Sequence, residues 1–293
     1  MFQGASKITH LKERHLEGIV TMRFRMLTHH MKHIDRLVVA DIFCGSGENN
    51  IDGHLIDGSP LAIMNGFQTA CGFGVSDTNT NKRRESFRPH SDKVEIQISD
   101  IRPDAVASAP LILADKYSHK PDIFSHNSFD SLVQVFEADA AVRIEDLHQR
   151  LVDRQNDRLF LFIDPNGPRA LPYPQMMGLL SDHRVADRVD VVVNIAATHL
   201  KRLNTNAVAN VHIREWVGEY ENLFATVLNM RHGEAWIRKP IPGDAHQWSI
   251  IVYWSPPFPN WDWPKAGFTR IGSADGQAAL RHYSSTKKKV SAQ

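Results

Sequence analysis

Acidic residues and a glycine-rich turn lie at the ends of the first three predicted strands of the sequence. They are the turn Cys44-Gly45-Ser46-Gly47, then Asp100, then Glu137 and Asp139. Glycine lets a backbone approach a ligand closely, and a carboxylate at a strand end can accept hydrogen bonds from both hydroxyls of a ribose. Each acid alone could equally be a helix N-cap. The three positions together favour a pocket for a nucleoside without phosphates.

The fourth predicted strand, RLFLFI at 158–163, is followed by the turn Asp164-Pro165-Asn166-Gly167-Pro168. The Asp and Asn side chains offer an acceptor and a donor on a turn that the prolines stiffen. Asp-Pro and Asn-Gly also favour ordinary β-turns. Because this turn would lie at the same edge as the nucleoside pocket, we favour a role in meeting the substrate.

The sequence of the glycine-rich turn does not match the motifs of other nucleotide-binding enzymes. The turn at 44–47 matches neither the G-x-G-x-x-G dinucleotide pattern nor the G-x-x-x-x-G-K-[ST] phosphate loop, and it contains no lysine. This disfavours a hydride-transfer enzyme or an ATPase. His29 and His33 have the i, i+4 spacing of metal ligands, but no nearby acid completes a site, so we predict no metal.

Strands and helices alternate along residues 35–254. Predicted strands cover 37–43, 93–99, 131–137, 158–163 and 190–195, and predicted helices begin at Ser59, Pro103 and Ala140. A hairpin is predicted from 235–239 and 248–254. This order predicts a three-layer α/β fold with a mostly parallel sheet and an antiparallel C-terminal hairpin. In such a sheet, ligands bind where the strands end.

We predict one domain over 1–254, with an N-terminal helix in 1–34 and the α/β core in 35–254. The residues between Gly47 and Ser59 are predicted to form a polar loop. Residues 255–293 are rich in Pro and Trp and then basic, which indicates a loose tail.

Composition excludes several classes. The 293 residues carry 34 Lys and Arg against 33 Asp and Glu, a net charge of +1, so no global field attracts nucleic acid or membranes. The longest apolar stretches fall short of a membrane helix, and two cysteines cannot form a disulfide framework. We expect a cytoplasmic protein.

The strand-end motifs resemble those of class I S-adenosylmethionine-dependent methyltransferases. DIFCGSG at 41–47 resembles their motif I, D-x-F-x-G-x-G, and IDPNGP at 163–168 resembles their motif IV. SDIRPDAVASA and FEADA look like the acidic ends of their second and third strands. Within the class, DIFCGSG, GSPLAI and FIDPNGP are most similar to the three-Cys-motif partner methyltransferases, which act with a cysteine-containing associated protein.

The resemblance implies a Rossmann-like methyltransferase fold and S-adenosylmethionine as the cofactor. It implies that the motif I turn wraps the methionine part, with contributions from Asp41, Phe43, Cys44, Gly45, Ser46 and Gly47. Asp100, with Ile101 beside it, would bind the ribose, and Asp77 is the nearest alternative. Asp139 would bind the adenine. The acceptor would face Asp164, Pro165 and Asn166.

Two departures from related motifs leave the target atom open. DNA amino-methylating enzymes carry (D/N/S)-P-P-(Y/F), but Asn166 and Gly167 stand at the last two positions here. Tyr173 is a candidate for the missing aromatic face, and a buried core tyrosine is an equal alternative. Cys44 is the candidate nucleophile for cytosine-C5 chemistry, although a small packing residue is the favoured interpretation.

Basic residues give the only indication of a substrate. A cluster that includes Phe87 combines positive charge with an aromatic ring, as single-strand binders do; its basic members are Lys82, Arg83, Arg84 and Arg88. The tail contains Lys287-Lys288-Lys289 near its end. We predict DNA or RNA as a partner, with a protein partner as a further possibility and no membrane. A catalytically silent scaffold for such a partner is the alternative function.

Overall fold

The structure, a computed structural model, describes residues 7–51, 54–72, 87–119, 129–165, 170–195, 222–223, 225–230, 232–240, 249–258 and 261–285. Contacts within the chain divide it into two compact units, residues 1–161 and 162–293. The single domain over 1–254 stays a prediction.

In its described residues, the first unit contains five α-helices and five complete strands. The helices are α1 (Lys7–Leu27), α2 (Ser59–Gly72), α3 (Pro103–Tyr117), α4 (Phe129–Leu132) and α5 (Ala140–Asp153). The strands are β1 (Leu37–Asp41), β2 (Glu48–Ile51), β3 (His54–Asp57), β4 (Val94–Asp100) and β5 (Val133–Glu137). Short 3-10 helices cover Thr28–His33 and Arg88–Lys93.

Strand β6 (Arg158–Ile163) crosses the boundary between the units. The second unit then contains α6 (Tyr173–Ser181), a 3-10 helix (Ala186–Arg188), β7 (Val189–Ile195), β8 (Gly233–Arg238), β9 (Ser249–Tyr253), β10 (Phe268–Arg270) and α7 (Ala274–Ser285).

Among the described residues, the main sheet has eight strands in the order β10-β8-β9-β7-β6-β1-β4-β5. β1 pairs with β4, and β4 with β5, in parallel. β9 is antiparallel to both β7 and β8, which confirms the predicted hairpin. The predicted fold class, a mostly parallel sheet with an antiparallel hairpin and flanking helices, is confirmed.

Strand β4 alternates apolar and polar residues, yet every residue in it is buried. The polar face is covered by α5, whose Arg150 donates to both carboxylate oxygens of Glu95 at 2.7 and 2.9 Å. Arg143, also in α5, donates to Gln97 Oε1 at 2.6 Å. Because each buried polar group has a partner, the alternation is compatible with burial on both faces. This network fixes the strand that ends at Asp100.

The single helix predicted over 8–34 is two helices in the structure. The α-helix ends at Leu27, and a 3-10 helix follows over Thr28–His33. The Thr28 hydroxyl donates to the carbonyl of Phe24 at 3.2 Å. Such a bond competes with the helical backbone pattern and commonly bends a helix.

Two segments predicted to lack regular structure are corrected. The polar loop after Gly47 contains β2 and β3, which pair antiparallel. The loose tail contains β10 and α7, and Trp263 is only 2% exposed and stacks on Trp236 with ring centroids 5.5 Å apart. The tail tryptophan is therefore part of an apolar core rather than a surface feature. Within the described parts of the chain, no helix has an apolar stretch that could cross a membrane.

Candidate functional site

The turn after β1 needs glycine at two positions. Gly45 has φ of 58° and Gly47 has φ of 89°, values that L side chains rarely adopt. A Cβ at Gly47 would lie 3.3 Å from the Ala109 Cα of α3. At Gly45 the nearest atom to a Cβ would be the Arg102 Nη2 at 3.8 Å. Gly47 is therefore packed against a helix, whereas the space beside Gly45 is bounded by the flexible Arg102 side chain.

The β2–β3 hairpin leaves the glycine turn and returns to it. The Gly58 N–H donates to the Gly47 carbonyl at 2.8 Å, and a Cβ at Gly58 would lie 2.6 Å from that oxygen. Helix α2 begins at the next residue, Ser59, with Pro60 in its first turn. The N-terminus of α2 consequently follows the glycine turn in space, and a helix N-terminus favours negatively charged groups.

Asp100 lies at the end of β4, next to the glycine turn. Its side chain is 4% exposed, and its Oδ2 accepts a hydrogen bond from the Gly45 N–H at 3.1 Å. The Cys44 N–H also donates to the Ser99 carbonyl at 3.0 Å. These bonds tie the ends of β1 and β4 together. The structure thus brings Asp100 and Gly45, two residues predicted from separate motifs, into contact.

Arg102 was not among the predicted site residues. Its backbone N–H and its Nε donate to Asp100 Oδ1 at 2.9 and 3.1 Å, and its Nη2 reaches Oδ2 at 3.4 Å. The hydrogen bond to Asp100 raises the pKa of Arg102. The Asp-x-Arg spacing at 100–102 was the available sequence signal.

Asp41 lies beneath the turn rather than on its surface. Its side chain is 0% exposed, and its Oδ1 accepts a hydrogen bond from the Phe43 N–H at 3.2 Å. Phe43 itself is half-buried. The Ser46 hydroxyl donates to the Glu48 carbonyl at 2.9 Å. Asp41 and Ser46 therefore shape the backbone of the turn.

Strand β5 ends beside β4. In the parallel register, Asp100 is opposite Glu137, and the Ala138 N–H donates to the Asp100 carbonyl at 3.2 Å. The Asp139 carboxylate caps α5 by accepting from the Ala141 N–H at 2.8 Å, and the residue is exposed. Asp139 therefore has the capping role that was its alternative interpretation, on a side chain that also faces solvent.

Ile101 follows Asp100 and is 65% exposed, which is unusual for a large apolar side chain. Isolated exposed residues of this kind need no explanation by themselves. It directly follows the residue that ends β4, so an exposed apolar side chain is next to Asp100 in the sequence.

Cys44 is buried inside the turn, with 3% exposure, and its Sγ lies 3.4 Å from the Gly45 carbonyl oxygen. Burial, together with the negative charges of Asp41 and Asp100, raises the pKa of the Cys44 thiol. A thiol of raised pKa is a poor nucleophile because the thiolate is the reactive form. The geometry favours a packing residue.

The predicted acceptor residues belong to the second unit. Asp164 and Pro165 follow β6 directly and are half-buried. Asn166 lies outside the described residues, as does Asp77. Tyr173 is the first residue of α6, and its hydroxyl accepts a hydrogen bond from Asn222 Nδ2 at 2.5 Å. The hydroxyl is therefore occupied while the ring remains half-exposed.

The predicted nucleic-acid contacts are not tested by the structure. Lys82, Arg83 and Arg84 lie outside the described residues, as do Lys287–Lys289, and the structure describes the backbone of Arg88 but not its side chain. Among the residues that are described, no three His, Cys, Asp or Glu side chains group closely enough to hold a metal ion.

No protein-family model matches the sequence, and no curated protein matches it. The structure is similar to that of protein LPL1258 from Legionella pneumophila, with 11% identity and a TM-score of 0.42 over 85% of this chain and 86% of that chain. It is similar to the O-methyltransferase from Bacillus cereus in complex with SAH, with 9% identity and a TM-score of 0.43 over 85% and 81% of the two chains.

A third similar structure is the precorrin-6y C5,15-methyltransferase from Geobacter metallireducens, with 14% identity and a TM-score of 0.35 over 87% of this chain and 94% of that chain. At such identities and TM-scores, these likenesses assign no activity to this chain.

Proposed function

We propose that the chain is an S-adenosylmethionine-dependent methyltransferase whose cofactor binds where β1 and β4 end. The observation that carries the proposal is the hydrogen bond between the Gly45 N–H and Asp100 Oδ2. It places a carboxylate, the preferred acceptor for ribose hydroxyls, directly beside a turn whose backbone a ligand can approach. The resemblance of DIFCGSG to motif I supports the same ligand.

The residues of the first unit fit the parts of this cofactor. The turn at Gly45, Ser46 and Gly47 would contact the methionine part, and the N-terminus of α2 would favour its carboxylate. Asp100 would accept from the ribose, while Ile101 offers an apolar face for the adenine. Asp139 would bind the adenine edge if its carboxylate keeps an acceptor position beside the bond from Ala141.

When bound, the cofactor supplies an activated methyl group to a nucleophilic atom of the substrate. The enzyme's main task is then to hold the acceptor in line and close, at about 3–3.5 Å. We assign this task to Asp164, which would accept a hydrogen bond from an acceptor amine, and to Asn166, which would fix its orientation on the Pro165 turn.

The substrate that we propose is DNA or RNA, methylated at an amine or a ring nitrogen of a base. The basic cluster of Lys82, Arg83, Arg84 and Arg88, next to Phe87, supports this proposal, as does the Lys287–Lys289 tail. The similarity to three-Cys-motif partner methyltransferases supports an additional protein partner.

One observation favours a second function, a methyltransferase-like scaffold without catalysis. Both Asp100 oxygens already accept hydrogen bonds from Arg102. A carboxylate that is permanently engaged would not bind ribose. A folded wild type that does not bind S-adenosylhomocysteine would support such a scaffold, and binding without methyl transfer to DNA, RNA or protein would support a scaffold that has kept the cofactor.

Mass spectrometry of nucleosides from cells that express the wild type or Asp164→Ala tests the enzymatic proposal. The wild type should produce a methylated nucleoside that Asp164→Ala does not, while both proteins bind S-adenosylhomocysteine. Asp187→Ala removes an exposed acid of the same unit and is the matched control. Equal product from wild type and Asp164→Ala would remove Asp164 from catalysis. If neither the wild type nor Asp164→Ala produced a methylated nucleoside, the result would favour a protein substrate or the scaffold function.

A further inference from the structure

The Asp100 carboxylate has four hydrogen-bond donors around it. Two are backbone groups, the N–H of Gly45 at 3.1 Å and the N–H of Arg102 at 2.9 Å. The other two are the Nε and Nη2 of the Arg102 guanidinium, at 3.1 and 3.4 Å. A carboxylate has about four acceptor positions. All of them are used in this conformation.

These donors differ in how easily they can be exchanged. The backbone donors belong to the glycine turn and to the start of α3, so they cannot leave without moving those elements. The Arg102 side chain is 49% exposed, whereas the Asp100 side chain is 4% exposed. The guanidinium can therefore turn into solvent, and its departure would free one position on each carboxylate oxygen.

A second Asp-x-Arg pair indicates that this contact needs no ligand and no site. Asp182 accepts hydrogen bonds from the Arg184 N–H at 2.9 Å, from its Nε at 3.0 Å and from its Nη2 at 2.6 Å. The same three donors are used in both pairs. Local geometry alone is therefore sufficient to form an Asp-x-Arg pair. The contact between Arg102 and Asp100 needs no contribution from ligand binding to form.

We propose that Arg102 is an affinity-determining residue of the cofactor site, because its guanidinium occupies the two positions on Asp100 that ribose hydroxyls need. This inference rests on the proposed function. Binding of the nucleoside displaces the guanidinium and leaves both backbone donors in place. Arg102 therefore lowers the affinity of the site, and an uncharged side chain at this position raises it.

Calorimetry with S-adenosylhomocysteine on the full chain tests the inference. Arg102→Gln should bind about two- to fivefold more tightly than the wild type, the range that a half-exposed ion pair accounts for. Arg102→Lys, which keeps the charge but cannot present the guanidinium fork, should lie between them. Arg184→Gln breaks the matched pair and should bind like the wild type. Thermal melting of each variant checks that it is folded.

The salt dependence supplies a second readout. Salt screens an exposed ion pair, so displacement of Arg102 becomes easier as salt concentration rises. Wild-type affinity should increase relative to that of Arg102→Gln between low and high salt, and the two should converge.

Equal or weaker binding by Arg102→Gln would overturn the inference and make Arg102 a support for Asp100, while leaving the proposed function intact. Binding by Arg102→Gln but not by the wild type would support the inference in its strongest form. Absence of binding by the wild type and by every variant would instead defeat the proposed function, and the inference with it.

Discussion

Two Asp-x-Arg pairs in this chain have the same local geometry and different surroundings. Asp100–Arg102 and Asp182–Arg184 each use a backbone N–H and two guanidinium donors of the arginine. Asp182 caps the end of α6. Asp100 ends a buried parallel strand and also accepts from the Gly45 N–H, a residue 55 positions away in the sequence.

This comparison indicates that the Asp-x-Arg motif alone does not define a binding site. The arginine contacts come from residues two apart and form in either setting. What distinguishes Asp100 is the donor from the glycine turn, and only the parallel pairing of β1 with β4 can bring that donor to it. The hydrogen bond between the two strand ends therefore indicates a functional carboxylate better than the local Asp-x-Arg pair does.

The largest effect is expected from removing the two carboxylates in turn. Asp100→Ala leaves the Gly45 N–H without its acceptor inside the turn, which should lower the free energy of unfolding by about 1–3 kcal/mol. Asp182→Ala should lower it less, because its bonds to Arg184 join residues two positions apart, whereas the Gly45–Asp100 bond joins the ends of two strands. Urea denaturation of both variants gives the comparison. A larger loss for Asp182→Ala would reverse the ranking of the two pairs.

The geometry of the glycine turn can be tested by comparing Gly47, in the turn, with Gly178, in α6. Substitution by alanine should change the stability of the protein in opposite directions at the two positions. Gly47→Ala must adopt a positive φ and crowd Ala109, at a cost of about 1–2 kcal/mol. Gly178→Ala lies within α6 with open space around its Cβ, so the better helix propensity should stabilise the protein by up to about 1 kcal/mol. Melting temperatures should move in opposite directions. A shift of the same sign in both would contradict the turn geometry.

The smallest effect concerns Cys44 and appears only at alkaline pH. Burial raises the pKa of its thiol, so above about pH 8.5 the unfolded chain loses this proton while the folded chain keeps it. Stability from this group is thus complete below that pH and falls as the pH rises, by up to about 1.4 kcal/mol per pH unit.

Denaturation of wild type and Cys44→Ala between about pH 7.5 and 9.5 measures this contribution. The variant should show a shallower decline, and the slope is compared because the substitution also removes packing atoms. Tyr117, whose pKa burial also raises, adds its own decline only from about pH 10. Equal slopes would mean that the thiol ionises in the folded protein. Cys44→Ala should also retain methyl transfer, whereas complete loss would restore the nucleophile interpretation.

The sequence predicted the parts of this site that depend on short-range patterns. Apolar runs identified β1 and β6, an alternating pattern identified β4, and the predicted site residues after these strands included Gly45 and Asp100. The contact between those two residues could be expected only from the rule that parallel strands end at one edge.

Other features depended on packing that no local pattern records. The β2–β3 hairpin is different: Asp52-Gly53 is a pair typical of a two-residue hairpin turn, but this local signal was missed because the flanking residues are polar and lack the apolar alternation of a strand. Trp263 was assigned to a loose tail, although Trp236 of β8 provides its stacking partner. Arg102 follows a predicted site residue by two positions, yet its effect on the site depends on where its side chain folds back.

Calorimetric titration of S-adenosylhomocysteine into wild type, Asp100→Ala and Asp182→Ala tests the central claim most directly. The wild type should bind, and Asp100→Ala should bind at least about tenfold more weakly because charge-assisted bonds to the ribose are lost. Asp182→Ala should bind like the wild type. Absence of binding by both the wild type and Arg102→Gln, or an Asp100→Ala variant of unchanged affinity, would contradict the assignment of a nucleoside site to the ends of β1 and β4.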